Sequence, residues 1–132
     1  DWSNLDRHRG FFDFVRKMIA FRKQHPSLAR SRFWRSDVRW FGARGVVDLE
    51  SHELALCLRG ASQGDDDLYI MINGSPDDVP FVIQDVGERP WRLAVDTAAA
   101  SPNEIDLAAS PSLPHASYVV GHHAVVVLVR GR

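Results

Sequence analysis

Between Val38 and Val129 the apolar residues fall into short runs: Val38 to Phe41, Leu54 to Leu58, Leu68 to Asn73, Val79 to Ile83, Trp91 to Val95, Ser117 to Val120 and Ala124 to Val129. Turn-rich stretches separate them, at Gly60 to Asp67, Gly74 to Asp78 and Ala98 to Pro114. Short strands at this spacing predict a mainly β fold, an antiparallel β-sandwich. The Gly/Asp stretch between Leu58 and Leu68 reads as a hairpin connection. The Ala-, Ser- and Pro-rich stretch has room for one short strand, around Ile105 to Leu107.

Two runs are apolar on both faces. Leu54, Leu56 and Leu58 alternate with Ala55 and Cys57, and Val125, Val127 and Val129 alternate with Ala124, Val126 and Leu128. Such strands are central and covered on both sides. Trp91, Leu93 and Val95 alternate instead with Arg92 and Asp96, the pattern of a strand with one wet face. One sheet therefore needs more cover than a partner sheet provides. An N-terminal helix and a further domain are the two candidates.

The first 25 residues follow a different period. Asp1 to His25 reads as one long N-terminal α-helix preceding the sandwich, about 33 Å long. Ser3 is placed to cap its start, with Asp6 in a capping-box position. Pro26 ends it by pushing His25 out of the helical region. Leu5, Phe11, Phe12, Phe14, Val15, Met18, Ile19 and Phe21 spread over roughly 200° of arc. A surface helix needs a stripe of only about 100°, so this one predicts partners on two sides. Arg22 lies within the arc and predicts a buried or rim-level acceptor.

Composition narrows the function classes. The chain has 132 residues, 45% apolar and 25% charged, with net charge −1 and a single cysteine, Cys57. That is a soluble, globular composition without an internal disulfide. The basic residues from Arg30 to Arg44 are broken up by Phe33, Trp34, Asp37, Trp40 and Phe41, which argues against nucleic acid as a partner. No apolar run approaches a membrane span and no signal peptide is visible, so no membrane partner is expected. The lone cysteine and missing signal point to the cytoplasm. The chain opens on Asp1, which predicts processing or excision from something longer.

Catalytic and metal motifs are missing from the sequence. His122 and His123 would point to opposite faces of a strand and read as a turn before the last one. Cys57 sits in an apolar run, where a thiol is inert. Asp65, Asp66 and Asp67 read as a solvated turn. No phosphate loop, dinucleotide fingerprint or nucleophile elbow occurs, and no cofactor or metal is expected. Of the tryptophans Trp2, Trp34, Trp40 and Trp91, the candidates for a sugar-stacking platform are Trp34 and Trp40, because indole offers a flat apolar face.

A series of motifs then carries a resemblance. Asp1-Trp2-Ser3 leads a Phe-rich segment closing on Phe21-Arg22-Lys23-Gln24-His25-Pro26-Ser27-Leu28. Arg32-Phe33-Trp34 and Asp37-Val38-Arg39-Trp40-Phe41-Gly42 follow, then Ser51 to Gly60, Asp66 to Asn73 and Pro90 to Thr97, with Tyr118 opening a Val-rich close. In order, these resemble the C-terminal region of isoamylase-type glycogen-debranching enzymes, within the α-amylase family of glycoside hydrolases. Asp48-Leu49 and Gly121-His122-His123 depart from the family pattern.

The resemblance implies that residues 1–27 are similar to the last helix of a (β/α)8 catalytic barrel and that residues 28–132 form a C-terminal sandwich. It implies a parent enzyme that hydrolyses α-1,6 branch points of an α-glucan, glycogen or starch, by a retaining two-carboxylate route. The carboxylates would lie in the barrel, and none of this chain's positions matches them. This chain would be a non-catalytic accessory domain whose partners are that barrel and, through it, the glucan. A freestanding carbohydrate-binding module and a structural or oligomerising domain are the alternative readings.

Overall fold

A computed structural model describes residues 1–85, 87–99, 112–113 and 116–132. Its elements are α1 (Ser3–Arg7), α2 (Arg9–Gln24) and strands β1 (Val38–Phe41), β2 (Glu53–Leu58), β3 (Asp67–Asn73), β4 (Val79–Val82), β5 (Arg92–Asp96), β6 (Ser117–Val120) and β7 (Ala124–Arg130). Each predicted run from Val38 onward becomes a strand, within a residue or so of the expected bounds. Residues Ile105 to Leu107 lie outside the described residues.

The strands form two antiparallel sheets. One runs β1-β2-β3-β7-β5, and β4 pairs with β6 as a separate ribbon. The β2–β3 hairpin puts Leu58 opposite Leu68, and its loop contains a 3-10 turn at Ala61–Gln63 ending at Gly64 with φ +65°. Glycine takes that left-handed conformation without the steric clash a Cβ would bring. Gly60 is fixed for another reason: a Cβ there would run into the carbonyl oxygens of Asp65 and Asp66.

One face of the larger sheet carries Cys57, Tyr69, Met71, Val126 and Leu128, which pack with Phe81 and Val120 of the ribbon. This is the main core. Burying a side chain the size of Phe81 contributes roughly 2 to 3 kcal/mol. Asn73 joins the two layers: its side-chain amide donates to Val120 O and Gly121 O at the end of β6 and to Asp77 O. The opposite face carries Leu56, Leu58, Leu68 and Val129, covered by Phe21, Leu28, Trp34 and Val38. Both doubly apolar strands are thus central, and the last turn of α2 with the segment after it covers the Leu58–Val129 end of their second face, while Ile72 at the other end stays exposed.

The N-terminal region differs from its sequence reading. The helix breaks at His8, which takes φ −116° and ψ 33°. Arg7 to Gly10 carry no apolar side chain to hold a face in place, and an isolated helical turn without packing is marginal. Ser3 lies inside α1 rather than capping it; the carboxylate of Asp1 instead accepts the Ser3 N–H at 3.0 Å. The helix does end before Pro26, with His25 in extended conformation. No residue of α2 is buried. Phe11 is 72% exposed and Ile19 52%, and Arg22 points into solvent with no need of a buried acceptor.

A second correction concerns β5. A bulge between Leu93 and Val95 shifts the register, so Val95 joins the face of Val127 while Asp96 turns inward opposite Val126. The expected alternation therefore fails at Asp96, which is buried. Bulges change which face each later side chain takes.

Candidate functional site

Trp34 and Trp40 occupy different settings. Trp34 lies just before the 3-10 turn Arg35–Asp37 and packs against the outer cluster of Leu56, Leu58, Leu68 and Val129. Its indole N–H donates to Ser27 O at 3.1 Å, so the polar edge is committed to the fold. What remains of it lines a cleft of about 270 Å³ with Leu28, Arg30, Arg32 and Phe33. Phe33 at its rim is 91% exposed. Trp40 sits on edge strand β1 opposite Leu56 and is 49% exposed. Of the two, Trp40 offers the freer aromatic face.

The aspartate triplet is not a solvated turn. Asp65 is buried. Its Oδ1 lies 2.8 Å from His25 Nδ1 and accepts the Asp66 N–H at 2.7 Å, while Oδ2 accepts the Ser27 N–H at 3.1 Å. Burial alone would raise the Asp65 carboxyl, but the bonds from His25, Ser27 and Asp66 outweigh it and hold it below the usual carboxylate range. An ionised carboxylate only accepts, so His25 Nδ1 carries the hydrogen. His25, Asp65 and Asp66 also bring ligand-type atoms within 4.8 Å of one another. Both oxygens of Asp65 are already taken by hydrogen-bond donors, which accounts for the cluster without an ion. The His25–Asp65 pairing had no local signal, because 40 residues separate the two.

Asp67 belongs to a second polar cluster. Arg130 Nη2 lies 2.8 Å from Asp67 Oδ2 and 3.4 Å from Asp85 Oδ2. Arg59 reaches both carboxylates, at 3.4 Å and 2.7 Å. The Arg130 guanidinium stacks 4.3 Å from the Trp91 ring centroid, and the Trp91 N–H donates to Asp85 O. Burial raises Asp67, yet the bonds from Arg130 and the Gly60 N–H leave it below its ordinary value. Cys57 donates its thiol to Asp85 at 3.3 Å. Burial, then Asp85, pushes that thiol up to about 12. This cysteine stays protonated and is a poor nucleophile. One sequence signal could have exposed the cluster: Arg130 continues the buried parity of Val126 and Leu128 at the end of an apolar strand.

Two further polar groups face clefts. Tyr118 donates its hydroxyl to Asp96 at 2.6 Å, and burial followed by Asp96 pushes that hydroxyl up. His122 and His123 do form the turn before β7; the His122 ring lies 3.0 Å from Asp78 Oδ1. Asp78 borders two clefts, one of about 500 Å³ with Gly42 to Val46 and Glu53, the other of about 440 Å³ with Asp96, Thr97 and the two histidines. Among the described residues, no nucleophile is hydrogen-bonded to a base in an open cleft. The carboxylates of Asp65, Asp67 and Asp78 hold backbone amides, cations or a histidine ring, while Asp96 accepts from the Tyr118 hydroxyl and Asp85 from the Cys57 thiol. Among the same residues no helix is long and apolar enough to cross a membrane.

Comparison with known proteins gives the chain its context. No family model matches it. An isoamylase of Pseudomonas amyloderamosa is 30% identical over 82 residues, covering 55% of this chain and 11% of that protein. An isoamylase of a Flavobacterium species is 27% identical over 133 residues, covering 85% of this chain and 17% of that one. The structure of a type I pullulanase from Bacillus subtilis str. 168, complexed with maltose, superposes over 100% of this chain and 17% of its own, with TM-score 0.74 and 21% identity. The pullulanase of Bacillus acidopullulyticus gives TM-score 0.70 at 15% identity, over 98% of this chain and 15% of its own. The chain thus spans between about a tenth and a sixth of the proteins it resembles. This β-rich fold and these matches fit the C-terminal region of a debranching enzyme. The curated relatives named above are isoamylases, the type of enzyme that the motif series resembles.

Proposed function

We propose that this chain is a non-catalytic accessory region of a debranching glycoside hydrolase, a lopsided β-sandwich seated against the catalytic barrel through α2. The observation that carries this is the helix itself. It keeps a wide apolar face, yet Phe11, Phe12, Val15 and Ile19 are all exposed. Exposed apolar stripes of this kind mark a surface built to be covered. In the proposed division, residues 1–27 complete the barrel and residues 28–132 form the sandwich. The parent would act in the cytoplasm on the α-1,6 branch linkages of glycogen or starch, by the two-carboxylate route, with both carboxylates outside this chain.

The test begins with the reading frame upstream of the Asp1 codon. An open frame encoding several hundred residues of (β/α) barrel, with a paired Asp and Glu, is the expected result. The parent then releases reducing ends from branched glucan, and the 132-residue chain alone releases none. A start codon immediately before Asp1 overturns the proposal.

A second reading, a glucan-binding surface, is favoured by the exposed ring of Trp40. On that reading the isolated chain is retarded by glycogen in an affinity gel, and Trp40→Ala abolishes the retardation. Trp34→Ala is the weaker probe, since Trp34 also supports the fold. Equal migration with and without glycogen overturns this reading while leaving the first intact.

A further inference from the structure

Helix α2 meets the sheet at its last turn and exposes Phe11, Phe12, Val15 and Ile19 along its length. None of its residues is buried, and Phe21, in its last turn, is the helical side chain packed on the outer face of the sheet. Apolar packing of this kind is non-directional and allows rotation and tilt. The directional bonds lie just beyond the helix and converge on one carboxylate. Asp65 takes the His25 ring at 2.8 Å and the Ser27 N–H at 3.1 Å, so it grips the chain on both sides of Pro26. The His25 ring is in turn packed against Phe21, with centroids 4.4 Å apart. Trp34 secures Ser27 from the other side, through its carbonyl oxygen.

The gripping carboxylate is itself rigidly mounted. It sits in the β2–β3 loop, whose flanking strands are central in the sheet. The Asp65 N–H is bonded to Gly60 O at 3.0 Å, and the loop turns at Gly64 in the left-handed region. We infer that Asp65 is a positioning residue: through His25 and Ser27 it sets the direction in which α2 leaves the β-domain and forms a fixed joint between the two. Phe21 supplies adhesion, and Asp65 supplies the angle. The inference concerns this chain's own geometry and stands whichever domain or partner covers α2.

The experiment is a distance measurement by pulsed electron spin resonance. Spin labels are attached to cysteines replacing Lys17 on α2 and Val119 on β6, both exposed. Cys57 stays in place, because it is buried and remains unlabelled. The expected result is one narrow distance distribution in the parent and at least a twofold wider one in Asp65→Ala. Near-UV circular dichroism of the β core should be unchanged. Asp66→Ala removes the neighbouring charge and should leave the distribution narrow. If Asp65→Ala does not fold, Asp65→Asn carries the same test, since the amide cannot accept all three bonds. A distribution as narrow as the parent's in the folded variant overturns the joint, as does a parent distribution that is already broad.

Discussion

Asp67 and Arg130 are register partners across β3 and β7, and their side chains meet at 2.8 Å on the core face of the sheet. The pair closes the end of the main core at which β2, β3, β7 and the connection before β5 converge. Arg130 is 4% exposed at its side chain and faces Asp85 as well as Asp67. Removing it leaves two partly buried carboxylates with Arg59 as the cation that remains on both among the described residues. Arg130→Met should therefore destabilise the chain by roughly 3 to 5 kcal/mol. The double variant Arg130→Met, Asp67→Asn should lose less than the sum of the single losses. Urea unfolding of the four proteins in the cycle checks this, and strict additivity would refute the coupling.

Acid should weaken the fold through Asp65 and Asp67. Both carboxyls are held below the ordinary value of 3.8 in the folded chain. A lowered folded pKa contributes stability that is present above the unfolded value and lost as pH falls through the folded one. The acid limb of stability should thus lie below about pH 4. Asp65→Asn, measured by urea unfolding at stepped pH, should flatten that limb. An unchanged limb would show that the His25 and Ser27 bonds do not favour the ionised form.

Cys57 should be silent to thiol reagents in the native chain. The buried thiol, pushed up to about 12, offers almost no thiolate near neutral pH. Labelling with a chromogenic disulfide should be negligible until denaturant unfolds the protein, then complete. Rapid native labelling would mean that β2 opens locally.

Asn73 should be sensitive to an isosteric change. Its amide hydrogens face three carbonyl oxygens, those of Asp77, Val120 and Gly121. A carboxylate of the same shape cannot donate and would repel them. Asn73→Asp should lower stability by roughly 3 kcal/mol or more, seen as a shift of the urea midpoint. A midpoint equal to the parent's would show that the contact between the layers does not depend on this amide.

Period, turn chemistry and alternation made the strands legible, because a strand's faces are written in its own consecutive residues. Val38–Phe41 and Ser117–Val120 are placed to the residue. The same local reading located Cys57 in an inert setting and His122-His123 in a turn. It failed where a neighbour in space outweighed a neighbour in sequence. Asp65 looks like solvated turn chemistry until His25 and Ser27 arrive from 40 and 38 residues away. Asp96 belongs to the wet face until a bulge turns it toward Tyr118. The break at His8 is a failure of a different kind, since one helix was read across Arg7 to Gly10, a stretch with no apolar side chain to pack.

The sequence by itself determined the β-rich class, the strand positions, the helix end at Pro26 and the missing catalytic motifs. Each of these follows from local sterics or from spacing along the chain. Only the tertiary structure decided which charges are buried, which partner each aspartate takes and how little of α2 the domain covers. Those outcomes depend on desolvation and on distances between segments far apart in sequence, which no local pattern encodes.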